Sequence, residues 1–200
     1  MTASRSSPPR ALSLFTRAQA LRTGHFQLSS GLHSGQYVQC ALVLKNPRTA
    51  AKLGKELAGL LPSGPRPDGV VSPAVGGILA GHEVARALGL DSVFAEREKD
   101  GKMAFRRGFA LKRGGRYVAV EDVLTTGAST QELIQLVQSH GARVTAVLAL
   151  VQRGTLKQNW KMPVRTLISL HIPTYAPDRC PLCREGLPVE SPGSRRLRKS

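Results

Sequence analysis

The chain has 200 residues, 41% of them hydrophobic and only 4% aromatic, and 29 Lys and Arg against 13 Asp and Glu leave a formal charge of +16. That length suits one ordinary domain with a sheet covered on both faces. The sequence lacks any run of about 18 apolar residues, which excludes a membrane-spanning helix. Its start, Met1-Thr-Ala-Ser-Arg-Ser-Ser-Pro-Pro-Arg10, lacks the apolar core of a secretory signal, so a cytoplasmic protein is expected. The charge admits two kinds of partner, nucleic-acid phosphates or small polyanionic substrates drawn in by a positive field. Part of it belongs to the tail Arg195-Arg-Leu-Arg-Lys199. Few aromatics are present to build the stacking platforms of single-strand binders.

Residues 1–9 read as a flexible leader, 10–190 as a single domain, and 191–200 as a basic flexible tail. A helix is predicted over 11–21, where Leu12, Phe15, Ala18 and Leu21 recur at helical spacing. Asn46 and Pro47 supply an N-cap and a first-turn proline for a second helix, with Ala50, Leu53, Leu57 and Leu60 on its apolar face. The breakers in Leu61-Pro-Ser-Gly-Pro-Arg-Pro67 end it. Strands are then predicted at 69–72, 92–95, 116–121, 143–151 and 164–171. Helices at 77–88 and 129–140 lie between them, the second terminated by Gly141. This alternation predicts an α/β fold, a mainly parallel central sheet flanked by helices. Residues 173–200 read as irregular. Ligands of such sheets bind at the carboxyl ends of the strands, which directs attention to 72–77, 121–130 and the residues after Val151.

Cys180 and Cys183 form Cys-Pro-Leu-Cys, half the ligand set of a structural zinc site. A second pair is missing from the chain and Cys40 alone does not complete one, so a structural or incidental loop is the expectation, with pooling of two pairs in a symmetric dimer left open. His25, His33, His82, His140 and His171 show no metal-ligand spacing and are expected to be structural or exposed.

The segment Val118-Ala-Val-Glu-Asp-Val-Leu-Thr-Thr-Gly-Ala-Ser-Thr130 is the most informative. An apolar strand ends in two adjacent carboxylates, and a turn of small residues opens directly into a helix. Backbone N–H groups at a helix start, with the helix dipole behind them, make an anion site. Thr125, Thr126, Ser129 and Thr130 add hydroxyls, Gly127 permits close approach of a phosphate, and Ser129 with Glu132 has capping-box spacing. A ligand carrying both phosphate and vicinal hydroxyls would use the turn and the carboxylates together. The plainer alternative is that Glu121 and Asp122 only terminate the strand.

This segment resembles the phosphoribosyl pyrophosphate motif of the type I phosphoribosyltransferases, with Tyr117 supplying the fourth apolar residue. The resemblance runs over about residues 15–190 and points to the orotate phosphoribosyltransferases. It implies the type I fold, with a small hood from the N-terminal region and a mobile lid. Transfer of a 5-phosphoribosyl group from phosphoribosyl pyrophosphate to orotate is the implied reaction, with Mg²⁺ carried by the donor and no metal held directly by the protein. The donor contacts it implies are Arg97, Lys99, Lys102, Glu121, Asp122, Val123, Leu124, Thr125, Thr126, Gly127, Ala128 and Ser129, with Lys99 and Asp122 catalytic. The pyrophosphate loop would be Ala74, Val75 and Gly76, and orotate would meet Tyr37, Val38, Thr125 and Arg153.

This chain departs from the pattern in places. Ser29 stands where many relatives carry Lys, Val75 and Gly76 where some have Tyr-Lys, and Gly101 or Lys102 near a frequent lid His. Plainer alternatives remain for each segment: a hairpin covering the core at 26–38, a tight turn at 72–77, a solvated hairpin at 96–108, and a surface charge at Arg153. The implied lid acts on a neighbouring subunit, hence a homodimer. Two other readings are a purine phosphoribosyltransferase and a regulator that senses phosphoribosyl pyrophosphate and binds nucleic acid. No helix-turn-helix segment is recognisable for the latter, and a nucleic-acid partner is not expected.

Overall fold

The computed structural model describes residues 9–28 and 30–192. The expectations for residues 1–8, for Ser29 and for the basic residues of the tail lie outside the described residues. Helix α1 (Pro9–Arg17) leads into a hairpin of β1 (Leu21–Gln27) and β2 (His33–Val38). The helix expected to reach Leu21 therefore stops at Arg17. Gln19 takes a φ of 52° and Ala20 N–H donates to Phe15 O at 2.9 Å, turning the chain so that Leu21 pairs with Val38 instead. A short α2 (Cys40–Leu44), which the sequence did not announce, precedes α3 (Pro47–Ala58). As expected, Asn46 caps α3, its side chain accepting from Thr49 N–H at 3.1 Å.

The alternating part follows: β3 (Gly69–Pro73), α4 (Gly77–Leu88), β4 (Asp91–Arg97), β5 (Met103–Phe105), β6 (Arg116–Leu124), α5 (Ala128–Ser139), β7 (Arg143–Arg153) and β8 (Val164–Leu170). The six strands form one sheet in the order β5-β4-β3-β6-β7-β8. Every neighbouring pair is parallel except β4 and β5, which make an antiparallel hairpin at the edge. The expected α/β architecture is thus the observed one.

Successive strand residues point to opposite faces, and the two faces bury different helices. Val118 and Val120 of β6 and Leu148 and Leu150 of β7 pack with Leu53 and Leu57 of α3 and Val84 of α4. Tyr117, Ala119, Val147 and Ala149 point the other way, onto Leu133, Ile134 and Val137 of α5. Burial of each such aliphatic side chain contributes roughly 1.5–3 kcal/mol.

The end of the chain is not irregular throughout. β9 (Thr174–Tyr175) adds a third strand to the β1-β2 hairpin, and α6 (Pro181–Arg184) follows a short turn of 3-10 helix. Glu190 then closes back on β1, its N–H donating to His25 O and its carbonyl accepting from Gln27 N–H, both at 2.8 Å. The N-terminal hood is therefore completed by the far end of the sequence.

Two further expectations are corrected. The strand thought to stop at Glu121 continues through both carboxylates to Leu124, because Val123 and Leu124 still pair with Val151 and Gln152 of β7. The Cys-Pro-Leu-Cys pair is not left as half a ligand set. His25 and His33, from the hood of the same chain, bring ring nitrogens to Cys180 and Cys183, with all four ligand atoms within 4.8 Å of one another.

Candidate active site

At the carboxyl end of β6 the chain passes from Leu124 through a turn into α5. Gly127 occupies the N-cap position with φ 80°, and a Cβ there would lie 2.9 Å from the Trp160 ring, so both conformation and space require glycine. The expected capping box does not form. Ser129 already lies inside α5, and Glu132 instead pairs with Arg97 at 2.7 Å. The first turn of α5 still presents backbone N–H groups that have no partner within the helix. Thr126 and Ser129 lie beside them.

Glu121 and Asp122 point into different surroundings. Glu121 is buried, accepting from Thr130 Oγ1 at 3.4 Å and from Asp122 N–H at 3.3 Å. Burial pushes its carboxyl well above the ordinary carboxylate range, and the neighbouring Asp122 charge adds to this. Asp122 is half-buried and accepts from Val123 N–H at 2.8 Å through Oδ1. Below them Cys40 donates to Asp122 O at 3.7 Å. Its thiol is held well above its usual range by burial and by both carboxylates.

Glu121 and Asp122 line an open cleft of about 330 Å³. The whole of 121–130 contributes, and the opposite wall is Tyr37 and Val38 of β2 with Arg153 at the end of β7. Burial lowers the Arg153 pKa while the neighbouring Tyr37 supports its charge. Burial, then the Asp122 carboxylate, raises the Tyr37 phenol. The cleft therefore offers a helix-start anion cradle, two acidic side chains whose oxygens accept hydroxyl hydrogens, and a guanidinium suited to a planar anion.

The sequence-predicted residues divide into two groups. Tyr37, Val38, Glu121, Asp122, Val123, Leu124, Thr125, Thr126, Gly127, Ala128, Ser129 and Arg153 meet in the cleft. Ala74, Val75 and Gly76 form the turn between β3 and α4, beside Asp122 and outside the cleft lining, with a cis peptide between Ala74 and Val75. Arg97, Lys99 and Lys102 belong to the β4-β5 hairpin and do not line this chain's cleft. Arg97 is held by Glu132 and by Gly101 O at 2.6 Å, while Lys102 pairs with Asp100 at 3.3 Å. Gln27, Leu28 and Gln39 also line the cleft. The first two fall in the 26–38 segment that holds the implied orotate contacts Tyr37 and Val38, whereas Gln39 carries no sequence signal. Trp160, likewise unannounced, packs behind the Gly127 turn and donates through Nε1 to Gln131 Oε1 at 2.6 Å.

Residues 42–177 match the family model described as the phosphoribosyl transferase domain. An orotate phosphoribosyltransferase of Heliobacterium modesticaldum is 45% identical over 190 residues, covering 94% of this chain and 99% of that one. Among solved structures, orotate phosphoribosyltransferase from Aeropyrum pernix superposes with a TM-score of 0.66 at 25% identity, over 79% of this chain and 92% of the other. Adenine phosphoribosyltransferase from Thermoanaerobacter pseudethanolicus gives a TM-score of 0.59 at 23% identity, over 68% and 88%. That second likeness speaks for the fold alone, and the fold serves more than one base.

Proposed function

The chain belongs to the phosphoribosyl transferase family, and from that membership we propose that it transfers the 5-phosphoribosyl group of phosphoribosyl pyrophosphate to orotate. The products are orotidine 5′-phosphate and pyrophosphate, a step of pyrimidine biosynthesis in the cytoplasm. The observation that carries this reading is the meeting of Glu121, Asp122 and the 125–129 turn with Arg153 and Tyr37 in one cleft. Close sequence relatives named for orotate, rather than an adenine enzyme known by fold, support the choice of base.

In this reading the 125–129 turn holds the 5′-phosphate with backbone N–H groups and hydroxyls. Asp122 and Glu121 accept from the ribose hydroxyls. Arg153 grips the orotate carboxylate with parallel hydrogen bonds, and Tyr37 and Val38 pack beside the base. The turn of Ala74, Val75 and Gly76 faces the diphosphate. Mg²⁺ arrives with phosphoribosyl pyrophosphate as part of the substrate. The half-buried Asp122 carboxylate, a hard oxygen donor at the cleft, suits such an ion or its bound water.

Carbon–oxygen cleavage at the ribose develops oxocarbenium character. Catalysis is then positioning plus charge stabilisation of the departing diphosphate. Lys99 is exposed at the hairpin tip, and Arg97 and Lys102 stand with it outside their own cleft. That arrangement favours a lid serving a second subunit, hence a homodimer. The reading is tested by loss of orotate absorbance with phosphoribosyl pyrophosphate and Mg²⁺. Turnover with orotate and none with adenine or xanthine is expected. Pyrophosphate release with a purine alone would replace orotate as acceptor. Salt-dependent binding of DNA or RNA without pyrophosphate release would replace the enzyme with a regulator.

A further inference from the structure

The cluster in the hood is chemically unlike the cleft. His25 Nε2 lies 2.9 Å from His33 Nδ1, 3.5 Å from Cys180 Sγ and 3.6 Å from Cys183 Sγ. Cys183 Sγ is also 3.3 Å from His33 Nδ1. His25 Nδ1 sits 2.8 Å from Leu187 O. A carbonyl only accepts, so Nδ1 carries the proton and donates it, and Nε2 faces the cluster with its lone pair. That single lone pair has three neighbours close to hydrogen-bond distance: the His33 ring nitrogen and both thiols. It can accept fully from one. A cation at the centre satisfies all four groups at once.

We propose that His25 Nε2, His33 Nδ1, Cys180 Sγ and Cys183 Sγ bind one Zn²⁺ in a closed tetrahedral site that fastens the C-terminal segment to the hood. Zn–S bonds of about 2.3 Å and Zn–N bonds of about 2.0–2.1 Å give tetrahedral edges of about 3.5 Å between N and S and about 3.3 Å between the nitrogens. Three of the four N···S separations, at 3.3, 3.5 and 3.6 Å, bracket the first value, and all four ligand atoms lie within 4.8 Å of one another. The nitrogen pair at 2.9 Å opens slightly to reach the second. Two thiolates neutralise the ion, which suits a place where His25, His33 and Cys180 are all buried. Cys183 closes the solvent side.

Sulfur and imidazole in tetrahedral array select zinc over the hard Mg²⁺ that accompanies a diphosphate, so the two metals do not compete for one place. Four protein ligands leave no open position, which makes the site structural rather than catalytic. The hydrogen bond from His25 to Leu187 O orients the first ring as outer-shell partners of zinc ligands do. The ligands come from β1, from β2 and from the Cys-Pro-Leu-Cys turn at α6. Binding therefore links segments 155 positions apart in sequence, beside Arg22–Glu190, an exposed ion pair of 2.8 Å that makes the same junction. Gln27, two residues from His25, and Leu28 line the cleft, so the metal steadies one of its walls.

The test uses the full chain, free of any affinity tag, purified from zinc-supplemented cells. Plasma emission spectrometry should give about one zinc per chain after dialysis, with a stoichiometry that survives replacement of Cys40 by serine. Exchange with Co²⁺ should produce the visible bands of tetrahedral cobalt and a near-ultraviolet thiolate-to-metal transition. Both should be lost in Cys183→Ser and in Cys180→Ser. Zinc removal by a strong chelator should lower Tm by about 10 °C, reversibly on re-addition of Zn²⁺ alone. Parent protein that carries no zinc, rejects Co²⁺ and leaves the exposed Cys183 thiol reactive would overturn the proposal. So would a Cys180–Cys183 disulfide in freshly purified protein. Because these readouts are made on the parent chain, a variant that fails to fold does not blunt them, and none depends on which base the cleft accepts.

Discussion

Gly76 lies so close to Asp122 that a Cβ placed on it would stand 2.5 Å from Oδ2 and 2.7 Å from Oδ1 of the carboxylate. The turn before α4 and the carboxylate at the end of β6 are thus fitted to each other through the one residue that has no side chain. Gly76→Ala is expected to push Asp122 from its position while leaving both sheet faces packed as before. Turnover should fall by about tenfold or more, equivalent to about 1.4 kcal/mol of barrier, with little change in Tm. Gly64→Ala, at a turn with open space around the new Cβ, is the matched control and should behave as the parent. Steady-state kinetics beside thermal melts decide it, and equal losses in both variants would remove the steric explanation.

Glu121 gives a pH-dependent prediction whose sign follows from its burial. Its folded pKa is raised above the ordinary value of 4.5, first by desolvation and then by Asp122. The folded state therefore prefers the protonated carboxyl. The stability this contributes is fully present below about pH 4.5 and is lost as pH rises through the folded value. Glu121→Gln removes the titration while keeping an acceptor for Thr130. Its Tm should exceed that of the parent at alkaline pH, and the difference should close as the pH is lowered. Melting curves across this range check it, and a constant offset would show that Glu121 does not titrate with folding.

Arg97 and Glu132 form a two-pronged pair, with contacts of 2.7 and 3.1 Å between the β4-β5 hairpin and α5. Both side chains are partly exposed, so the pair stabilises the fold by no more than about 1 kcal/mol. Its effect should fall on the hairpin instead. Glu132→Gln is expected to leave Tm within a few degrees and to speed tryptic cleavage after Lys99 and Lys102. Unaltered cleavage rates would mean that the hairpin is held by its own hydrogen bonds, such as Glu98 N–H to Lys102 O at 2.8 Å.

What the sequence made legible, and what it did not, has a physical pattern. The cleft wall from Glu121 to Ser129 is contiguous in the chain, so a strand, paired acids and a helix start could be read directly from residue order. The sheet covered on both faces was legible from the alternation of strands and helices along the chain, and β6 and β7 are accordingly buried over most of their length. The extent of α1 was not, because Leu21 fits a helical period equally well and only its pairing with Val38 decides. The capping box failed because Gly127, in a left-handed conformation, takes the N-cap place and Glu132 finds Arg97. Trp160 and Gln39 reach the site through chain closure and carry no local signature. The histidine–cysteine cluster is the extreme case. His25 and His33 alternate with the pleat of a hairpin, and their partners lie 155 and 150 positions further on.

The proposed sharing of the lid between subunits can be tested without knowing the dimer's geometry. Lys99 lies on the exposed hairpin tip and Asp122 in the cleft, and neither the lysine nor its neighbour Lys102 lines that cleft. Lys99→Ala should slow turnover greatly with a modest effect on substrate binding, and Asp122→Asn should weaken the reaction on its own. If the lid closes over its own cleft, mixed subunits of the two variants contain only defective sites and activity stays low at every ratio. If it closes over the partner's, each hybrid has one site carrying both substitutions and one carrying neither. Random mixing in equal amounts then makes half of all dimers hybrid and restores about a quarter of the parental activity. Co-refolding the two variants and following orotate consumption distinguishes the cases. Recovery above that of either variant alone assigns Lys99 to the neighbouring site, and unchanged turnover in Lys99→Ala alone would remove its catalytic role altogether.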